Sequence, residues 1–152
     1  MPDIQLALRE DAAAILALQH LAFQSEARLY NDWSIPPLTE TLAVSLADWD
    51  THTVLKAVDA GGRIVGSVRA RVLAGECAIA RLIVHPQNQG QGLGAALLQA
   101  IEAQAAGVRR FTLFTGARSE GNIRLYQRHG YRIVGTEVVS PAVSLVHMEK
   151  AA

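Results

Sequence analysis

Ile4-Gln5-Leu6-Ala7-Leu8 alternates apolar and polar side chains, the pattern of a strand with one buried face, and Arg9-Glu10-Asp11 then places acids where a helix begins. Ile15, Leu18, Leu21 and Ala22 recur at helical spacing, so a first helix is expected there. Asn31, the Pro36-Pro37 pair and Thr39 punctuate the segment after it, and a second helix is expected over about residues Thr39 to Ala47. Thr53 to Val58 and Ile64 to Val72 are β-rich runs around Asp59-Ala60-Gly61-Gly62, which together predict a hairpin.

Glu76 to Val84 grows more apolar along its length, as a central strand does, and His85-Pro86 ends it. After the glycine-rich run Gln89-Gly90-Gln91-Gly92-Leu93-Gly94, the residues Leu93, Ala96, Leu97, Ala100 and Ile101 fall on one helical face, with Gly107 as a stop. Arg110 to Thr115 reads as a strand and Asn122 to Arg128 as a short helix closed by His129-Gly130. Two last strands are expected over Tyr131 to Val139 and Val143 to Lys150. No repeat or linker interrupts this order, so residues 1–152 are expected to form one α/β domain.

Composition narrows the class. The 14 Lys plus Arg balance 14 Asp plus Glu, so no global field favours nucleic acid or an anionic membrane. The single cysteine, Cys77, rules out an intrachain disulfide, and neither a signal sequence nor a membrane span is readable, so a soluble cytoplasmic protein is expected.

A strand, then glycines, then a helix leaves backbone N–H groups unpaired at a positive dipole end, which attracts phosphate. Gly90, Gly92 and Gly94 lack the Cβ atoms that would keep a pyrophosphate away, and Gly94 is a candidate for close packing of the helix on the sheet. A P-loop would need Gly-Lys-Ser or Gly-Lys-Thr, which is absent. The dinucleotide fingerprint is met formally by Gly90, Gly92 and Ala95, but the ribose-binding acid expected ~20 residues later is missing from Arg109 to Phe114.

In this order of elements the chain resembles the GNAT superfamily of acyl-CoA N-acetyltransferases. Gln89 to Gly94 matches its Q/R-x-x-G-x-G/A signature, Arg81 to Pro86 looks like the strand before it, and Asn122-Ile123-Arg124-Leu125-Tyr126 through Gly130-Tyr131 is similar to its second motif. The resemblance implies a mixed, mostly antiparallel twisted sheet flanked by helices, with a splayed centre that holds acetyl-CoA as cosubstrate. It further implies that the backbone of Leu82, Ile83 and Val84 pairs with the pantetheine arm, and that Gln89, Gly90, Gln91, Gly92, Leu93, Gly94 and Ala95 hold the pyrophosphate. Asn122 makes a polar contact near the cofactor, and Tyr126 brings its hydroxyl to the thioester sulfur. A homodimer would also fit the family.

Acyl transfer to an amine needs a neutral nucleophile, donors for the oxyanion and a proton for the thiolate. Tyr126 is the candidate acid, a backbone N–H near Leu82 to Val84 the oxyanion donor, and Glu76 the candidate base, placed on the face of Ala78, Ala80 and Leu82 if the strand alternates regularly. Packing against the sheet is the competing role for Tyr126, and plain solvation for Glu76. Cys77 lacks a His-plus-acid partner pattern and reads as a core residue. The five histidines show no metal-ligand spacing. Glu26, Tyr30, Asp32 and Trp33 are candidates for acceptor contacts, with Glu26 or Asp32 the partner of a cationic amine; Tyr30 and Trp33 serve equally well as caps on the core. The expected activity is transfer of an acetyl group from acetyl-CoA to a primary amine of a small molecule, peptide or protein in a ternary complex. A non-catalytic acyl-CoA sensor and a nucleotide-binding regulator are the competing classes.

Overall fold

The computed structural model covers residues 1–152 and is organised around a seven-stranded sheet in the order β1-β2-β3-β4-β5-β7-β6. Its strands are β1 (Asp3–Leu6), β2 (Thr53–Val58), β3 (Ile64–Leu73), β4 (Glu76–Val84), β5 (Arg110–Gly116), β6 (Arg132–Val138) and β7 (Ser144–Ala151). Every neighbouring pair is antiparallel except β4 and β5. The helices are α1 (Ala12–Ala22), α2 (Gln24–Tyr30), α3 (Pro36–Thr39), α4 (Leu42–Asp48), α5 (Leu93–Ala103) and α6 (Glu120–Arg128). None of them is long and apolar enough to cross a membrane.

The strands and the later helices follow the sequence pattern closely, because each carries its own period and its own stop. The hairpin β2–β3 turns at Gly62, which has φ of 84° and so takes a conformation that glycine adopts without strain. α5 buries Leu93, Leu97, Leu98 and Ile101 completely against β2, β3 and β4. Each such side chain contributes about 1.5–3 kcal/mol on leaving water. Close approach of α5 to the sheet depends on Gly66 of β3, where a Cβ would lie 2.9 Å from Leu97 Cδ1. At Gly94 a Cβ would meet Leu125 Cδ2 of α6 at 3.5 Å and Val84 Cγ2 of β4 at 4.0 Å, so the packing expected of this residue does not require a glycine.

The N-terminal third departs from expectation. Between the expected helices the chain stays helical: α1 breaks at Phe23 and continues as α2, which ends at Asn31 in the left-handed conformation with φ of 51°. The helix expected over Thr39 to Ala47 is α4, which starts later, at Leu42, where Thr41 accepts a hydrogen bond from the Val44 N–H, and a separate short helix, α3, precedes it at the Pro36-Pro37 pair.

β4 holds the feature that positions the site. With β5 it pairs only at Glu76, Cys77 and Ala78, after which the two parallel strands diverge. On its other edge, Ala80 lies opposite Arg69 while Ile83 lies opposite Ser67, so three steps of β4 match two of β3. This bulge is centred on Arg81, a non-glycine residue at φ of 54°.

Candidate active site

A cleft of about 550 Å³ opens where β4 and β5 part. Leu82, Ile83 and Val84 form one wall, Gln89, Gly90 and Gly92 with the start of α5 form the floor, Asn122, Leu125 and Arg128 of α6 face them, and Glu26 closes the front from α2. Gly90 and Gly92 have φ of 76° and 82°, and a Cβ on either would meet nothing within 4 Å, so both present bare backbone to the cleft. None of the amides from Gln89 to Ala95 donates to a protein acceptor, and Gly92, the residue before α5, provides no side-chain cap. Consecutive free N–H groups at the positive end of an eleven-residue helix form a receptor for a pyrophosphate. Arg128 adds a positive charge to the same cleft.

The edge of β4 beyond Ala78 has no strand neighbour on the β5 side, so an amide-bearing arm can pair with it as an added strand. The bulge decides which way this edge faces. Leu82 and Val84 pack on the core under α5, while Ala80, Arg81 and Ile83 turn toward α1. Arg81 adopts a backbone conformation that costs about 1–3 kcal/mol. Glu40 compensates: its carboxylate receives Arg81 Nη2 at 3.2 Å and Arg69 Nη2 at 3.1 Å, with the Ser45 hydroxyl as a further donor. Burial alone would raise the Glu40 pKa, but these hydrogen bonds and the two guanidinium charges hold it down at about 2. None of this cluster was legible in the sequence, because its members come from α4, β3, β4 and the link before α4 and follow no short-range pattern.

Tyr126 of α6 is 7% exposed, packs in the core behind the residues that line the cleft, and lies edge-on to Tyr131, with 5.9 Å between ring centroids. The hydroxyls of Tyr30 and Tyr131 are engaged by Ser119 and Glu102, whereas that of Tyr126 has no protein partner. Burial, and secondly the charge of Glu26, push its pKa up to about 12. The phenol therefore keeps its proton at neutral pH. Asn122 lines the cleft with its amide 3.4 Å from Thr115 Oγ1.

The remaining candidates separate. Glu76 stands at the closed end of β4, paired with Arg110 at 3.2 Å, and the bulge at Arg81 breaks the alternation that was to align it with Leu82. It lies outside the cleft, and the base role expected of it is withdrawn. Asp32 accepts from the Ser34 backbone and hydroxyl at 2.9 and 2.6 Å in a local turn, and Trp33 is 53% exposed; neither lines the cleft, and Trp33 does not cap the core. Tyr30 is buried, so of the four acceptor candidates only Glu26 reaches the cleft. Cys77 is fully buried in the core, where burial and then Glu102 push its thiol pKa up.

A cradle of free amides beside a splayed parallel pair suits a ligand that joins a pyrophosphate to an amide-bearing arm. In agreement, a sequence model of the acetyltransferase (GNAT) family matches residues 14–131, and the chain belongs to that family. Its fold is that of solved N-acetyltransferases of low sequence identity. The ribosomal-protein-S18-alanine N-acetyltransferase from Escherichia coli superposes with a TM-score of 0.82 at 18% identity, over 99% of this chain and 94% of that one. A phosphinothricin acetyltransferase from Sinorhizobium meliloti in complex with AcCoA gives 0.79 at 18%, over 99% and 88%. The PaiA N-acetyltransferase from Thermoplasma acidophilum in complex with coenzyme A gives 0.76 at 15%, over 100% and 99%. No protein with a curated description matches the sequence significantly. The chain is an acyl-CoA-dependent acetyltransferase, with a mixed, mostly antiparallel sheet of the expected class.

Proposed function

We propose that the protein transfers an acetyl group from acetyl-CoA to a primary amine while both substrates are bound. The observation that carries this reading is the placing, along one cleft, of the free amides Gln89 to Ala95 and the unpaired edge of β4, opposite the helix that carries Tyr126, whose hydroxyl has no protein partner. Gln89 to Ala95 bind the pyrophosphate, Leu82 to Val84 pair with the pantetheine amides, and Asn122 contributes a polar contact beside them. Acetyl-CoA supplies a thioester, a carbonyl activated toward amines.

The protein's part is to orient that carbonyl against backbone N–H groups of β4, to exclude water, and to hold a proton at Tyr126 Oη for the departing sulfur. A thiolate has a reference pKa of ~8.5, so a phenol at about 12 acts chiefly as a hydrogen-bond donor while negative charge grows on sulfur. Direct attack is favoured over an acyl-enzyme because Cys77 is sealed in the core as a thiol.

Calorimetry with CoA, NAD and ATP, followed by a panel of amines with acetyl-CoA monitored by thiol release, tests the reading. CoA is expected to bind alone among the three, and at least one primary amine to release free thiol. Binding of NAD without CoA, or bound CoA with no amine accepted, would overturn it.

A further inference from the structure

Ser119 stands immediately before α6, where a serine ordinarily caps the helix by accepting from a first-turn N–H, an interaction of ~1 kcal/mol. Here it does not. Its hydroxyl is 2.6 Å from Glu26 Oε2 and 2.9 Å from the Tyr30 hydroxyl, which in turn accepts the Arg118 backbone N–H at 2.8 Å. The direction of this chain is fixed at its end, because the carboxylate oxygen accepts the one hydrogen that Ser119 has to give. Tyr30 therefore gives its hydrogen to Ser119, and Ser119 gives its own to Glu26. Three donors in series point at one carboxylate, each polarised by the one before.

Glu26 Oε2 is thus held in place, while Oε1 makes no hydrogen bond to the protein. Glu26 is also the only carboxylate lining the cleft, and the only other charged group there is Arg128. The ionisable groups around it are Tyr30 on its own helix, Arg118 over the Tyr30 ring at 5.8 Å, and Tyr126 on α6, near enough to feel its charge. The tie is sterically enforced as well, since a Cβ on Gly116 would overlap the Tyr30 hydroxyl.

We infer that Glu26 is the group that receives the acceptor as an ammonium ion and takes its proton. The inference rests on the amine-transfer reading above and names the acceptor class: primary amines that arrive cationic and carry no carboxylate beside the nitrogen. The ammonium gives one proton to Glu26, and the neutral nitrogen bonds to the acetyl carbon. The carbon–sulfur bond then breaks with its electron pair going to sulfur. The second nitrogen proton leaves to water, sulfur is protonated with Tyr126 as donor, and Tyr126 and Glu26 exchange with solvent to restore the starting state. Products are the acetamide, CoA thiol and one proton.

The test is Glu26→Gln, which keeps an oxygen for the Ser119 hydroxyl and so the tie between α2 and α6. With alaninamide, a linear diamine and a free-N-terminal peptide as acceptors, kcat/KM at pH 7 is expected to fall roughly 10²-fold. The deficit should shrink as pH approaches the amine's own pKa, where the acceptor arrives already neutral. CoA affinity by calorimetry should stay within about twofold of wild type. Wild type should prefer alaninamide to alanine, and the substitution should narrow that preference. Glu26→Asp, which retains the charge, should recover part of the rate and the wild-type pH profile. Should Gln prove unstable by thermal melting, the alaninamide-to-alanine ratio and pH profile of the Asp variant carry the test. A Glu26→Gln enzyme with wild-type rate and pH profile, or an Asp variant with an altered profile, would remove Glu26 from the reaction while leaving the transfer reading intact. A wild type that binds CoA and acetylates no amine would remove both.

Discussion

Glu76, Cys77 and Ala78 at the start of β4 have strand neighbours on both edges, β3 on one side and β5 on the other. Leu82, Ile83 and Val84, six positions further on, have β3 alone. Both segments are extended and partly covered; the closed one begins with a charged residue, Glu76, and the open one is wholly apolar, but neither composition accounts for the difference in pairing. What separates them is the bulge at Arg81, which bends the strand and lets β5 leave. The closed end is ordinary sheet; the open end keeps backbone hydrogen-bonding capacity that only a ligand can satisfy. A single strained residue, with the ion cluster that holds it, divides structure from chemistry.

The strongest way to break this contrast is to remove the support of the bulge. Glu40→Gln leaves Arg81 without its carboxylate and Arg69 with Asp48 alone, at 3.0 Å, and loss of one partner from such a cluster costs up to about 3–5 kcal/mol. Denaturant unfolding should show that loss, and kcat should fall with it as the open edge loses its geometry. The pH dependence has a definite sign. Glu40 is held at about 2 in the folded protein against 4.5 as its ordinary value, so its contribution is full above pH ~4.5 and is lost as pH falls toward 2. The wild-type protein should therefore lose about 3 kcal/mol across that window, and Glu40→Gln should show a flatter acid limb.

Next in size is Tyr126→Phe, which should lower kcat roughly 10²-fold at saturating acetyl-CoA with CoA affinity unchanged. An unaltered kcat would return Tyr126 to a packing role. Smallest is Glu76→Gln at the closed end. Its partner Arg110 is about two-fifths exposed and is also 3.5 Å from Glu149, so stability should change by less than ~1 kcal/mol and turnover by less than about twofold. A large loss of turnover there would erase the distinction between the two ends.

Sequence legibility followed the same division. The glycine loop, the hairpin and the Asn122 to Tyr131 motif are local, each stated within twenty residues, and they led to the right fold and family. The bulge was invisible because regular alternation is the default reading of an apolar strand and Arg81 carries no sign of a left-handed backbone. Misplacing Glu76 followed directly from that. The α2 helix escaped notice because its seven residues earn their helicity from tertiary contacts, with Ala27 and Tyr30 buried, rather than from a long periodic face. Ser119 lies before the helix expected over Asn122 to Arg128 and carries no motif of its own, so only its partner on α2 shows what it does.

The tie between Glu26 and Ser119 also bears on how the cleft comes into being. It joins residues 93 positions apart, whereas β2, β3 and β4 assemble from neighbours in sequence. Closing so long a loop has an entropic cost that local contacts do not share, so the front wall is set to form after the sheet is in place. By the same reasoning α2 belongs to the least protected part of the molecule, the part whose amides exchange first with solvent. A bound ligand that bridges β4 and α6 would slow that exchange, so the wall that is last to fold is the one a ligand protects most.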